Sequence, residues 1–427
     1  MIDERAIFDQ FHAALDVPLP SGAFDRLRVA LVEAEAKPRR RLWLTPRLRQ
    51  AAQLALAILV LLALAGAILG TFVAGHRPPI PPHGGLVTIP TRMVSPTTGW
   101  AEVALSEIWR TTDAGAHWSE VDPPTLPDRR PQFWGPSGDA AFFLDAGHAW
   151  VVETGMSGPG ASGLYVSVFA TDDGGRQWGK GQPITLDSPS GMSPVLFFID
   201  ARHGWLLMSD TNQDDIEGSP ILYATSDGGL NWRLVSTRSA SLHGWCGPVS
   251  ITFATVDLGW LVPRCGESNP VLLVTRDGGV TWHAQRPQQR TTPDGEFDAP
   301  IFFSPTAGMV MFYAPQQILL VTSDGGLTWS PRSLPESNPM SVSFADSMHG
   351  WAVRTDAAIY RTNDGGLSWS VVPTDLRQRT DGYLLGSVDF VDQKNGFASA
   401  YDDLSGAKLM WLKTSDGGRT WSVVRTS

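Results

Sequence analysis

An aspartate followed by a glycine pair and then a tryptophan recurs along the chain in a string of the form T-x-D-G-G-x-x-W. A carboxylate at a fixed position can serve as an acid, a base or a metal ligand. The flanking glycines favour a tight turn instead, in which the carboxylate accepts backbone N–H bonds, glycine supplies positive φ and the tryptophan buries an apolar face. The predicted structural residues are Asp113, Asp173, Asp227, Asp277, Asp324, Asp364 and Asp416, with Trp118, Trp178, Trp232, Trp282, Trp329, Trp369 and Trp421.

Acidic residues outside these strings are candidates for catalysis and metal binding. Asp294, Glu296 and Asp298 share one variable loop, where a solvated acidic loop is favoured over a carboxylate pair of the kind that hydrolyses glycosides. Asp210 begins a string that alternates like an EF-hand, but Ile221 occupies the twelfth place, where a bidentate glutamate is required. We therefore predict no catalytic residue, no metal site and no cofactor.

Cysteine occurs twice, at Cys246 and Cys265, which excludes a four-thiolate zinc site. The two cysteines flank one predicted hairpin in the fourth repeat. If Phe253 lies opposite Leu258 in that hairpin, Cys246 lies opposite Cys265. A disulfide is therefore predicted in an oxidising compartment, and two unpaired buried thiols are the alternative.

A second marker precedes each string and identifies the elements that position it. An apolar residue is followed seven positions later by an aromatic residue or methionine, with a turn between them. The pairs are Met93/Trp100, Phe143/Trp150, Phe198/Trp205, Phe253/Trp260, Phe302/Met309, Phe344/Trp351 and Phe390/Phe397. Each repeat then contains four strands, A to D, and strings spaced 40 to 60 residues apart predict seven blades of a β-propeller.

Some connections within and between repeats have the same length in every repeat, and others do not. The A–B and C–D turns have a constant length, whereas the B–C and D–A connections vary. Alternate connections of an antiparallel blade lie at opposite ends, so the variable loops predict a binding face. Candidate partner-binding residues on these loops are Arg129, Arg130, Trp134 and Trp245, because Trp and Arg are enriched at interface hot spots; the alternative is that the two indoles cover blade edges.

The N-terminal part differs from the repeats. Residues 51–75 are predicted to form one transmembrane helix, since the chain carries no charge from Ala51 to Ala74. Basic residues lie before this segment, so residues 1–50, with two short helical patterns, are placed in the cytoplasm. A cleaved signal peptide is the competing interpretation. Residues 76–85 form a proline-rich linker, and the propeller, residues 86–427, is placed outside the plasma membrane by a single-pass anchor.

The charge balance excludes one class of partner. The formal net charge of the chain is -10. Nucleic acid selects a basic surface, so nucleic-acid binding is not expected.

The repeats resemble those of BNR or Asp-box propellers. The dense strings, together with H-G-W at His203–Trp205 and His349–Trp351, are similar to those of the photosystem II stability and assembly factor family, across residues 86–427. The resemblance implies a non-enzymatic role in assembling or stabilising membrane protein complexes. The predicted membrane anchor departs from that family's usual start.

Related Asp-box proteins supply the alternatives. These include sialidases, xyloglucan-type glycoside hydrolases and, more distantly, sortilin-like receptors, so the string alone does not select a function. Sialidases begin with an F-R-I-P-like motif, which is absent here. The nearest string, T-I-P-T-R at Thr88–Arg92, has its residues in a different order. We therefore predict a non-enzymatic, protein-binding, all-β propeller. A carbohydrate-active or carbohydrate-binding propeller and a single-pass sensor receptor are the alternatives.

Overall fold

The computed structural model describes residues 91–103, 107–123, 141–156, 164–186, 192–210, 221–236, 250–263, 271–287, 295–314, 316–335, 339–354, 356–402 and 409–426. These residues form seven antiparallel sheets, each built from one stretch of chain. The sheets are the blades of a seven-bladed propeller, as the repeats predict.

The strands of the first four blades follow the chain from the inner strand outward. Blade 1 contains β1 (Thr91–Met93), β2 (Gly99–Val103), β3 (Glu107–Thr111) and β4 (Ser119–Glu120). Blade 2 contains β5 (Ala141–Phe143), β6 (Ala149–Met156), β7 (Leu164–Thr171), β8 (Gly179–Lys180) and β9 (Ile184–Leu186). Blade 3 contains β10 (Met192–Phe198), β11 (Gly204–Asp210), β12 (Ile221–Thr225) and β13 (Arg233–Ser236). Blade 4 contains β14 (Ser250–Phe253), β15 (Gly259–Val262), β16 (Leu272–Thr275) and β17 (His283–Gln285).

The last three blades repeat the same order. Blade 5 contains β18 (Glu296–Phe297), β19 (Ile301–Phe302), β20 (Gly308–Tyr313), β21 (Ile318–Thr322) and β22 (Ser330–Arg332). Blade 6 contains β23 (Ser341–Phe344), β24 (Gly350–Val353), β25 (Ile359–Thr362) and β26 (Ser370–Val372). A single helical turn, α1 (Leu376–Arg379), leads to blade 7, which contains β27 (Tyr383–Phe390), β28 (Gly396–Asp402), β29 (Leu409–Thr414) and β30 (Ser422–Thr426).

Two blades carry an interrupted strand. In blade 2, β8 and β9 both pair with β7, so together they occupy the outer strand position. In blade 5, β18 and β19 both pair with β20 and share the inner position. Every blade therefore retains four strand positions.

The A–B hairpin of blade 4 differs from the predicted register by one residue. The first residue of each marker pair lies opposite a glycine or alanine; Phe253, for example, pairs with Gly259 and not with Leu258. The glycine is needed because a Cβ on Gly259 would overlap the Phe253 ring. The predicted pairing of Phe253 with Leu258, from which Cys246 was placed opposite Cys265, is therefore wrong. Both cysteines lie outside the described residues, so the disulfide stays a prediction.

The two constant turns of each blade lie side by side. The N–H at the first glycine position of the T-x-D-G-G string donates to a carbonyl in the A–B turn of the same blade, as from Gly228 to Arg202 at 2.9 Å and from Gly278 to Asp257 at 2.9 Å. The same bond recurs in all seven blades, including Ala114 to Thr97 in blade 1. We call the end of the blades that carries these turns the turn face, and the opposite end, reached by the B–C and D–A connections, the loop face.

The core consists largely of stacked markers between blades. The second marker of one blade packs on the first marker of the next, as Trp205 does on Phe253, with ring centroids 3.6 Å apart. The other stacked pairs are Trp100–Phe143, Trp150–Phe198, Trp260–Phe302 and Trp351–Phe390. Met309 and Phe344 share one cluster, and Phe397 and Met93 share another, which closes the ring between blades 7 and 1.

Within the described part of the chain, no helix has the length and apolar character needed to span a bilayer. The segment predicted to do so, residues 51–75, lies outside that part.

Candidate binding surface

The aspartates of the repeated strings accept backbone hydrogen bonds within their own turns. In blade 4 the Thr275 hydroxyl donates to Asp277 Oδ1 at 2.8 Å and accepts the N–H of Gly279 at 2.8 Å. The same carboxylate accepts the N–H of Thr281 at 2.9 Å, and the Thr281 hydroxyl donates to its other oxygen. The threonine that begins each string is buried in all seven blades. These are the contacts of a carboxylate that shapes a turn.

Hydrogen bonding also sets the protonation of these aspartates. The hydroxyl and N–H of Thr328 lower the pKa of Asp324 to about 2, and those of Ser368 lower the pKa of Asp364 to about 2. The N–H and ring of His117 likewise lower the pKa of Asp113 to about 2. A general acid or base works best with a pKa near the ambient pH. These groups therefore lack the proton affinity that catalysis near neutral pH requires.

The turns also join neighbouring blades. The Trp178 indole of blade 2 donates to the Val121 carbonyl of blade 1 at 2.7 Å, and Trp369 of blade 6 donates to the Ser333 carbonyl at 3.1 Å. Asp375, just before α1, accepts the N–H of Trp421 in blade 7 at 2.8 Å. The chain leaving each of these outer strands is thus held by the next blade's string.

A polar residue in the A–B turn was missed from the sequence. Two positions after the first marker, every blade has Asp, Ser or Thr, whose side-chain oxygen accepts backbone N–H groups of the turn. These residues are Ser95, Asp145, Asp200, Thr255, Ser304, Asp346 and Asp392. An alignment of the seven repeats on the marker pair shows Asp, Ser or Thr at this position in every repeat. Fixed hydrogen-bonding residues therefore shape both turns of the turn face.

Histidine reinforces three of these A–B turns. His148 Nδ1 lies 3.0 Å from Asp145 Oδ1, and His203 and His349 make the same contact with Asp200 and Asp346. The Asp145 hydrogen bond outweighs burial and raises the pKa of His148. Burial opposes the shift at Asp145, but hydrogen bonds from His148 and Gly147 lower the pKa of that carboxyl to about 2.

Tyr313 and Asp298 form a polar pair at the acidic loop of blade 5. Tyr313 donates its hydroxyl to Asp298 Oδ2 at 3.4 Å, and Asp298 Oδ1 accepts the N–H of Ala299 at 2.8 Å. Desolvation and the Asp298 carboxylate raise the pKa of Tyr313, which is the opposite of what a phenolate nucleophile needs. Glu296 is exposed on β18, and Asp294 lies outside the described residues.

Among the residues with described positions, no group of three or more His, Cys, Asp or Glu side chains could hold a metal ion. Asp210 ends β11, where it pairs with Met192, and Ile221, the twelfth residue of the EF-hand-like string, begins β12; residues 211–220 lie outside the described residues.

The predicted partner-binding residues belong to connections at the loop face. Arg129, Arg130 and Trp134 fall between β4 and β5, and Trp245 falls between β13 and β14. All four lie outside the described residues, so their role stays a prediction.

The fold and the hydrogen-bonded T-x-D-G-G turns together define an Asp-box β-propeller. Within that class, residues 333–427, which include blades 6 and 7, match the family model described as photosynthesis system II assembly factor YCF48. The repeats are therefore those of a propeller similar to the photosystem II assembly factors.

Curated relatives match over short segments. The photosystem II assembly lipoprotein Ycf48 of Prochlorococcus marinus (strain MIT 9313) is 44% identical over 55 residues, which is 13% of this chain and 16% of the relative. The protein of the same name from Synechococcus sp. (strain CC9902) is 32% identical over 87 residues, which is 20% of this chain and 24% of the relative. The chain thus matches less than a quarter of the length of either relative.

Solved structures align with a larger share of the chain. A structure described as YCF48 bound to D1 peptide aligns with a TM-score of 0.46 and 15% identity, covering 76% of this chain and 92% of that one. YCF48 from Cyanidioschyzon merolae aligns with a TM-score of 0.43 and 17% identity, covering 75% of this chain and 91% of that one.

Proposed function

We propose that this chain is a non-enzymatic propeller that binds a protein partner through its loop face and assists the assembly of a membrane protein complex. The observation that carries the proposal is the match of blades 6 and 7 to the photosystem II assembly factor repeats. The proposed binding partner is a protein segment.

The distribution of polar groups supports binding at the loop face. On the turn face, the string aspartates and the A–B turn residues use their oxygens within their own blades, as Asp277 and Asp145 do. Side chains that are already satisfied contribute little to a new interface. The loop face instead carries connections of unequal length, which is where a rigid scaffold places its specificity.

Two features support a non-enzymatic role. Carboxylates with a pKa near 2, such as Asp324 and Asp364, are weak bases at neutral pH. The tyrosine that stands beside an acid, Tyr313, has a raised pKa and is a poor nucleophile. A glycosidase of the sialidase type would require a nucleophilic tyrosine whose pKa is lowered.

The proposed location is extracytoplasmic, on a single-pass anchor formed by residues 51–75. Support comes from the uncharged run Ala51–Ala74 and from the basic residues before it, Arg39, Arg40 and Arg41 among them. Protease added to intact cells or spheroplasts should degrade the propeller and leave residues 1–50 protected. Protection of the propeller instead would refute this location.

The functional proposal is tested with the full chain in its native membrane. Affinity purification after chemical crosslinking should recover subunits of a membrane protein complex in a stable ratio to the propeller. In the test variant the candidate residues Arg129, Arg130 and Trp134 are exchanged for alanine, which should reduce recovery without unfolding the protein. Turnover of a sialoside or a β-glucan by the purified full chain would contradict the non-enzymatic role.

A further inference from the structure

Blade 2 carries an open depression near its outer strands that the proposed function does not use. Its volume is about 350 Å³, and its lining comes from Tyr165 and Ser167 on β7, Lys180 on β8, Thr185 on β9 and Pro183 at the break between β8 and β9. Ligand pockets commonly measure ~300–1,000 Å³. The interruption of the outer strand thus coincides with a depression large enough for a small molecule.

A buried carboxylate lies beside the lining. The Glu153 side chain is 5% exposed and forms an ion pair with Lys180, whose side chain is 43% exposed. The Lys180 ammonium also lies 5.1 Å from the Phe169 ring centroid and 5.9 Å from the Tyr165 centroid. A buried carboxylate is retained where a counterion and hydrogen bonds satisfy it. The pair therefore presents an acceptor and a donor at one place with no net charge.

A buried hydroxyl without a partner lines the same depression. Ser167 is 1% exposed, and its Oγ makes no hydrogen bond. Ser167 pairs directly with Glu153 in the β6–β7 register, which puts the two side chains on the same side of the blade. An unsatisfied buried hydroxyl costs free energy, which a hydrogen-bonding ligand recovers when it displaces the atoms that cover Ser167 Oγ.

We propose that this depression binds a neutral, hydroxyl-rich ring, of which a pyranose sugar is the representative class. The neutral Glu153–Lys180 pair favours neither an anion nor a cation. Sugar hydroxyls both donate and accept, which suits the Ser167 and Thr185 hydroxyls as well as the ion pair. The half-buried Tyr165 ring supplies an apolar wall for the C–H face of a sugar.

This inference does not depend on the proposed function. Ser167 lies within β7 and Lys180 within β8, whereas the proposed partner is held by the connections between strands. Loss of sugar binding should therefore leave the recovery of the protein partner unchanged.

The test uses the full chain in detergent and three probes: methyl β-D-glucopyranoside, methyl α-D-mannopyranoside and N-acetyl-D-glucosamine. Saturation-transfer NMR and calorimetric titration should show saturable binding of at least one probe. Replacing Ser167→Ala should weaken that binding about fivefold through loss of one hydrogen bond, and Tyr165→Ala should weaken it further.

The matched control is Ser236→Ala. Ser236 is also buried with an unpartnered hydroxyl, but it lies on β13 of blade 3 and does not line the depression. This variant should bind the probe as tightly as the parent, and thermal unfolding should show that all variants fold. The proposal is overturned if no probe saturates below about 50 mM, or if Ser167→Ala and Ser236→Ala bind alike.

Discussion

Trp150 of blade 2 stacks on Phe198 of blade 3 with ring centroids 3.7 Å apart and ring planes 8° from parallel. Phe198 in turn meets the string residue Trp232 of its own blade edge-on, at 6.1 Å. One aromatic ring thus joins the A–B turn, the T-x-D-G-G turn and the preceding blade. The same arrangement recurs at Phe253, Phe302 and Phe390.

Replacing Trp150→Ala should therefore destabilise the propeller strongly. The side chain is 1% exposed, and its removal leaves a cavity between two blades, so we expect a loss of about 3–5 kcal/mol in the free energy of unfolding. Urea denaturation followed by tryptophan fluorescence and circular dichroism measures the loss. Leu367→Ala, an exposed leucine on the turn face, is the control and should change stability by less than about 0.5 kcal/mol. Equal effects of the two substitutions would contradict the interblade role.

Gly204→Ala should also destabilise the protein. A Cβ at Gly204 would overlap the Phe198 ring, against which Trp150 and Trp232 both pack. Overpacking of this kind costs about 1–3 kcal/mol. Gly179→Ala is the matched control, since the nearest atom to its new Cβ is the Ala170 carbonyl oxygen at 3.9 Å. Comparable melting temperatures for the two variants would show that Phe198 can give way.

His148 should make stability depend on pH near neutrality. Its folded pKa is raised by Asp145, so its stabilising contribution is complete below the unfolded pKa of ~6.5 and is lost as pH rises through the folded value. The charge of Asp172 also raises the pKa of His148. Urea midpoints of the parent chain should therefore fall more across this range than those of His148→Asn.

Blade 7 supplies the rationale for that variant. Asn395 occupies the position of His148 and donates to Asp392 Oδ2 at 2.8 Å without titrating. His148→Asn should thus keep the turn and lose this part of the pH dependence. Parallel curves for parent and variant would refute the coupling.

Asp364 should make the stability of the protein depend on pH in the acid range. Its pKa is lowered to about 2 by Ser368, so its stabilising contribution is present above the unfolded pKa of ~3.9 and is lost as pH falls toward 2. Between these values the unfolding midpoint of Asp364→Asn should fall less than that of the parent. A variant as acid-sensitive as the parent would show that the Ser368 contacts do not stabilise the turn.

The sequence predicts the repeat number, the four strands of each blade and the position of both constant turns, because aromatic markers and turn residues recur at fixed spacing. The register was wrong because the marker was assumed to face the residue before Gly259, whereas the Phe253 ring needs the space above that glycine. The hydrogen-bonding role of Asp145 and its equivalents was missed because Ser, Thr and Asp alternate in that column. Interblade contacts such as Trp178 to Val121 join residues 57 positions apart and carry no local sequence signal.

Binding at the loop face is tested most directly by photo-crosslinking from the two ends of one blade. Asp356 lies in the B–C connection of blade 6 on the loop face, and Leu367 lies in the string of the same blade on the turn face; both are exposed. A photo-reactive amino acid would be placed at each position in turn in the full chain, in its native membrane, and crosslinked partners identified by mass spectrometry. We predict protein crosslinks from position 356 and none from position 367. Crosslinks from position 367 alone would contradict it.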